Sequence, residues 1–277
     1  MTFMLKPSSF TKHADNYPLC TTLGTLVSAS ATPHTKNSTY TELISSVDFD
    51  VYYIEILIHT VFVSGTDSST LVDIAIGAAA SETVIIPNLN CGGSAAWANA
   101  SHAGHRYAFP LYIPSGSRIS ANCQSAVASK QPRVLIWVYG APSDPTWVGQ
   151  HITDYGTNLA TSRGVSVALG TGSSDSAWTE IVAATTRGHN MLCVGPGLAG
   201  DTSSNIAAHS MDLGIGSATE VEISANFPLS SSTFENLSMG KPWVVPVSVQ
   251  SGERIVGRGH NNQGQVQSAD LIVYGVS

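Results

Sequence analysis

Charge is scarce in this chain. Only 11% of its 277 residues are charged, and 12 basic residues face 19 acidic ones, a net charge of -7. A nucleic-acid footprint needs a basic stripe, and an anionic bilayer surface needs a polybasic patch. No nucleic-acid partner is therefore expected, and no membrane surface. Long apolar runs are missing too. The longest, from Val51 to Val63, is broken by Glu55 and His59 and falls well short of the ~20 residues that span a bilayer, so no membrane insertion is expected. The N-terminus lacks a basic stretch followed by an apolar run, so no signal peptide is expected. Cysteine is limited to Cys20, Cys91, Cys123 and Cys193, far apart and without a C-x-x-C pair. Reduced thiols are expected, and the spacing of Gly65 and Gly200 puts Cys193 in the place of Ile58 as a small core side chain.

Also absent is any stretch with a capped 3.6-residue apolar period. What is present is a 43% hydrophobic composition with 25 Gly and 13 Pro, globular rather than disordered. Short runs rich in Val, Ile, Tyr and Trp alternate with clusters of Gly, Pro, Ser, Asn and Asp, the mark of strands and turns. The predicted strands cover 53–58, 71–76, 83–86, 109–113, 118–123 and 134–139, then 191–194, 211–215, 221–223, 243–249, 254–256 and 271–274.

The second set answers the first. Tyr40-Thr41-Glu42-Leu43-Ile44 returns as Trp178-Thr179-Glu180-Ile181-Val182, and Asp73-Ile74-Ala75-Ile76-Gly77 as Asp212-Leu213-Gly214-Ile215-Gly216. Ser115-Gly116-Ser117-Arg118-Ile119 returns as Ser251-Gly252-Glu253-Arg254-Ile255, and Val138-Tyr139-Gly140 as Val273-Tyr274-Gly275. Four matches in one order at nearly one spacing point to a tandem duplication of a whole domain. The expected fold is all-β, with two tandem jelly-roll-like β-sandwiches of about eight strands each. The expected parts are an N-terminal arm (1–22), a first sandwich (23–142), a linker packed on a domain (143–162) and a second sandwich (163–277).

Comparing the copies singles out residues. Aligning Glu82 with Glu220 sets Ile85 opposite Ile223, and Val84 and Ile86 opposite Glu222 and Ser224. Successive strand residues face opposite ways, so Ile85 marks the core, and Val84 and Ile86 are candidate interface residues. Their cover would be the linker, the arm or another subunit. Asp73 with Arg118, and Asp212 with Arg254, recur at matched places and are expected to serve structure, as ion pairs or turn-fixing hydrogen bonds.

Other motifs carry less. Gly195-Pro196-Gly197-Leu198-Ala199-Gly200 has the G-x-G-x-x-G spacing, but Asp201-Thr202-Ser203-Ser204-Asn205 follows it and opens no helix for a pyrophosphate. It is expected to be a glycine-rich strand connection, and no cofactor is expected. His102-x-x-His105, downstream of Cys91, has no counterpart in the second copy and is expected to be an exposed loop rather than a metal site. Trp97 and Tyr107 are candidate glycan-stacking residues. No nucleophile elbow, triad order or acid pair stands out, so no catalytic residue is named and no enzyme is expected.

The segments 72–77, 82–89 and 109–119 resemble a β-rich module of tailed-bacteriophage structural proteins, and Thr161-Ser162-Arg163-Gly164-Val165 looks like the opening of such a module. In the first copy Thr22-Leu23-Gly24-Thr25 keeps the glycine but has Leu23 where Arg163 stands. The resemblance implies a virion component, on the tail, baseplate or fibre or on the head surface, and the expected role is a tail-associated, baseplate or fibre protein assembled in the host cytoplasm. Its partners would be other virion proteins, further copies of itself and a host-surface glycan. A capsid-decoration or head-fibre protein, and a carbohydrate-binding module or depolymerase fragment, remain the alternatives.

Overall fold

The computed structural model describes residues 24–59, 69–91, 104–140, 147–172, 174–199, 207–216, 219–231, 237–238, 242–262 and 267–277. The N-terminal arm, Trp97, His102, Cys20 and the first part of the linker lie outside them. Among the described residues every regular element is a β-strand.

Strict alternation builds the first sheet. In β3 (Val51–His59), Ile54, Ile56 and Ile58 are fully buried, while Tyr53, Leu57 and His59 on the other pleat are half-buried. Antiparallel to it, β8 (Arg133–Gly140) turns Val134, Ile136 and Val138 to the same core. Strands β1 (Thr25–Leu26) and β6 (His105–Phe109) complete the order β1-β8-β3-β6. The partner sheet runs β2-β7-β4-β5, from β2 (Thr41–Ile44), β4 (Thr70–Ile76), β5 (Thr83–Cys91) and β7 (Ile119–Ser125). Sheets ordered 1-8-3-6 and 2-7-4-5 around one core form a jelly roll.

The second half has the same plan. One sheet runs β10-β18-β12-β16, from β10 (Val165–Leu169), β12 (Met191–Ala199), β16 (Trp243–Val245) and β18 (Gln267–Val276). The other runs β11-β17-β13-β14-β15, from β11 (Thr179–Val182), β13 (Ala207–Ile215), β14 (Val221–Ser231), β15 (Leu237–Ser238) and β17 (Ile255–Asn261). Irregularities recur as well. The ladder shifts between Glu42 and Ile44 against β7, and between Glu180 and Val182 against β17. Gly77 and Gly216, closing β4 and β13, hold φ of 120° and 127°, a region that side chains avoid.

Several expectations need correction. The run 109–113 is strand only at its start, because Pro110 and Pro114 leave bridges in place of a ladder. Residues 152–155, inside the expected linker, form β9 (Ile152–Tyr155), which pairs with β18. The glycines at 195 and 197 are not a connection but lie inside β12. Cys193 pairs with Tyr274 as Tyr53 pairs with Tyr139, so its counterpart is Tyr53 and not Ile58. Cys91, Cys123 and Cys193 are buried free thiols.

The largest correction concerns Val84 and Ile86. Ile74 pairs with Ile86 and Ala75 with Val84, so Ile85 is an extra residue in a bulge. The bulge breaks the alternation. Ile86 is fully buried in the first core, Ile85 packs against that core, and Val84 is 38% exposed. Ile86 is therefore no interface residue, and the two do not share an outer face.

Candidate functional site

The repeated charges form two matched structural networks, but not the pairs expected. Asp73 accepts from Lys36 Nζ at 2.7 Å and from the Asn88 N–H at 2.8 Å. Asp212 accepts from Arg258 Nε at 3.0 Å and from the Asn226 N–H at 2.8 Å. Asn88 and Asn226 hold φ of 51° and 53°, so each aspartate fixes the left-handed residue of a bulge. Arg118 instead binds Glu42 at 2.8 Å and Glu82 at 3.0 Å, and Arg254 binds Glu180 at 2.8 Å and Glu220 at 2.7 Å. The hydrogen bonds that both arginines donate to these carboxylates raise their pKa values. Lys36, Arg258 and the four glutamates were not singled out from sequence as partners, although Glu42 and Glu180 sit inside a repeated motif.

The two sandwiches share a core. Ile152, Met191, Cys193, Ile272, Tyr274 and Val276, on one face of the β9-β18-β12 layer, belong to the same apolar cluster as Ile54, Leu89 and Phe109. Strand β5 of the first sandwich lies against this face. The Tyr107 hydroxyl donates to the Asn90 carbonyl, and the Tyr107 and Tyr274 rings meet edge-on, 5.7 Å between centroids. Burial raises both phenol pKa values well above the ordinary range, so both hydroxyls stay protonated donors. Flatness makes the contact. A Cβ at Gly195 would lie 2.7 Å from the Tyr274 ring and 2.9 Å from the Tyr107 hydroxyl, and one at Gly197 would lie 2.5 Å from Asn90 Nδ2.

Tyr107 is thus corrected from glycan contact to seam residue: it is 2% exposed, because β6 turns His105, Tyr107 and Phe109 inward. His105 is likewise a buried strand residue rather than part of an exposed loop. Among the described residues no group of three or more His, Cys, Asp or Glu is placed to hold a metal ion.

The equivalent face of the first sandwich is the candidate site. Where Cys193, Gly195, Ile272 and Tyr274 form the seam, β3 and β8 carry Tyr53, Glu55, Trp137 and Tyr139. Two residues along from Gly195 and Glu55, Gly197 is answered by Leu57. Tyr53 pairs with Tyr139, Glu55 with Trp137, and Leu57 with Leu135, rows running across the outer pleats. The Tyr53 and Tyr139 rings are 5.7 Å apart. Arg106 Nη2 meets Glu55 Oε2 at 2.6 Å, with the arginine side chain 51% exposed and the carboxylate 9%. Burial, and then the Glu55 charge, raise the Tyr53 pKa, while the hydrogen bond to Glu55 raises that of Arg106. Tyr53, Leu57, Leu135 and Trp137 are half-buried, an apolar band with one charged pair sunk in it. A contiguous apolar band of this kind, open to solvent over part of its area, is the physical feature that marks the face as the candidate site.

No protein-family model matches this chain, and no curated protein matches it. Among solved structures it is similar to PNGF-II, at 10% identity and a TM-score of 0.36, over 97% of this chain and 66% of that one. In a second crystal form it covers 58% of the PNGF-II chain, so it spans less than two thirds of that protein. It is also similar to the STIV MCP (8% identity, TM-score 0.32, 91% of this chain and 97% of that one). A third likeness is to VP2 of the infectious bursal disease virus subviral particle (10%, 0.25, 84% and 57%). Likeness at this level identifies no shared site or activity.

Proposed function

We propose that this chain is a non-catalytic structural component of a virus particle of the tailed-phage type, held there by protein contacts. The observation that supports this reading is the pair of equivalent sheet faces. One is already used as a protein contact inside the chain, and the other is half-exposed and lined by Tyr53, Leu57, Leu135 and Trp137. A tail, baseplate or fibre position is the preferred reading, with a head-surface position as its alternative. The test is to purify particles from cells infected by the virus that encodes the chain, and to look for it by mass spectrometry at fixed copy number relative to the major coat protein. Its loss from particles during gradient purification would overturn the reading.

The same face supports a second reading, carbohydrate binding, because Trp137 and Tyr53 offer aromatic surface beside the Arg106–Glu55 pair. A glycan-array signal from the purified chain that Trp137→Ala abolishes would favour it.

A further inference from the structure

We propose that the cleft between the 156–164 loop and strands β10 and β18 is a binding site for a neutral sugar, held by Asp270 and Arg163. The site is separate from the outer face of β3 and β8, and it does not depend on the virion assignment.

The cleft follows from how the chain is threaded. Strands β9 and β10 pair in turn with one edge of β18, and the loop between them stands out from that edge. Its tip is a closed turn. The Asn158 N–H donates to the Arg163 carbonyl at 2.8 Å, and the Arg163 N–H to the Asn158 carbonyl at 3.2 Å. The first sandwich holds this turn from outside. Gln124 Nε2 donates to the Leu159 carbonyl at 2.7 Å and to Ser162 Oγ at 3.0 Å, and His34 Nδ1 lies 3.1 Å from the same hydroxyl. The walls are thus set before any ligand arrives, which lowers the ordering cost of binding. The cleft measures about 730 Å³, inside the ~300–1,000 Å³ range of small-molecule pockets.

The chemistry of the lining selects the ligand. The Asp270 side chain is only 6% exposed, and a buried carboxylate is costly unless it has partners. Arg163 Nη1 lies 3.8 Å from Asp270 Oδ2, close enough to balance the charge but beyond hydrogen-bonding distance. A hydroxyl is donor and acceptor at once. Placed between the two atoms, it donates to the carboxylate and accepts from the guanidinium. Further hydroxyls of a sugar meet Ser166 and Ser268, and its C–H surface meets Leu159 and Ile181, all of which line the cleft. An acidic ligand would set its charge against Asp270, and an ammonium against Arg163, so a neutral polyhydroxylated ring fits best. Leu135 stands in the first half where Asp270 stands in the second, so the charge pair is not part of the repeated scaffold.

Saturation-transfer NMR of the full chain with glucose, galactose, mannose and N-acetylglucosamine in turn tests this, with glucuronic acid as the acidic comparison. At least one neutral sugar should receive saturation, and glucuronic acid should receive less. Asp270→Asn should weaken binding by about tenfold or more, the scale of one charge-assisted hydrogen bond, while Trp137→Ala should leave it unchanged. If Asp270→Asn loses its β-sheet circular dichroism, Ser166→Tyr serves instead, filling the cleft from an exposed position, with the same loss expected. No saturation of any neutral sugar overturns the proposal, and so does a preference for glucuronic acid. Binding that survives in the folded cleft variant also overturns it, and its loss in Trp137→Ala would then move the sugar to the outer face of the first sandwich. None of these outcomes bears on the copy number of the chain in particles.

Discussion

The Tyr274 hydroxyl accepts the Asn90 N–H and donates to the Asn88 carbonyl, each at 2.8 Å. One phenol in β18 of the second sandwich thereby saturates two backbone groups of β5 in the first. Tyr274→Phe keeps the ring and removes both bonds, leaving a buried N–H without its acceptor. A loss of about 1–3 kcal/mol is expected, measured by urea unfolding. Because the seam residues belong to the first core, both halves should unfold in one transition. Two separated transitions in the unsubstituted protein would contradict the shared core.

Gly195 tests the same seam by bulk. Gly195→Val drives side-chain atoms into Tyr274 and Tyr107, and overpacking of this kind costs about 1–3 kcal/mol or more. The expected result is a lower midpoint, together with faster protease cleavage between the sandwiches. An unchanged midpoint would show that the halves can separate freely.

The bulge aspartates should matter more than the repeated arginines. Asp212→Ala removes the acceptor of the Asn226 N–H and the partner of Arg258, and about 1–3 kcal/mol should be lost. Asp73→Ala should behave alike. Arg254→Ala should cost less, since the Glu180 side chain it binds is 49% exposed and such pairs are screened by water. Asn226→Gly should be tolerated at its φ of 53°, whereas Asn226→Val should not. Differential scanning calorimetry ranks all five.

His189 gives the pH dependence. Its Nε2 lies 2.7 Å from the Tyr155 hydroxyl, and its buried Nδ1 has no hydrogen-bond partner. Burial, aided by Arg187, lowers its pKa from 6.5 to about 4. Between those values the unfolded chain binds a proton that the folded chain refuses. The stability tied to a neutral His189 is therefore full above pH 6.5 and is lost as pH falls through about 4. The drop in Tm across this window should shrink in His189→Gln. An identical slope in the variant would assign the acid sensitivity elsewhere.

Much of the fold was legible because alternation and turn residues are local signals: 53–58, 134–139 and 271–274 fall within β3, β8 and β18. The repeated motifs named Asp73, Arg118, Asp212 and Arg254, but not what they bind, since Lys36 and Arg258 come from different elements in the two halves. The bulge at Ile85 was illegible because one extra residue inverts a face without changing composition. Strand β9 was hidden for a different reason: a short polar segment becomes a strand only when β18 offers it an edge. The seam was hidden as well. It depends on glycine as flat surface, and Gly195 and Gly197 were set aside as a nucleotide motif with no ligand. The face of Tyr53, Glu55 and Trp137 emerges only once the register shows which residues of the second half correspond to it.

The most direct test of the central claim is quantitative mass spectrometry of gradient-purified particles made with the unsubstituted chain and with Trp137→Glu. The charge is placed on the half-exposed face, away from both cores, so the variant should fold with an unchanged circular dichroism spectrum. The account predicts that the unsubstituted chain is present at constant copy number across the particle peak, and that Trp137→Glu is depleted several-fold. Equal incorporation of the two chains, or absence of both from the particles, would contradict it.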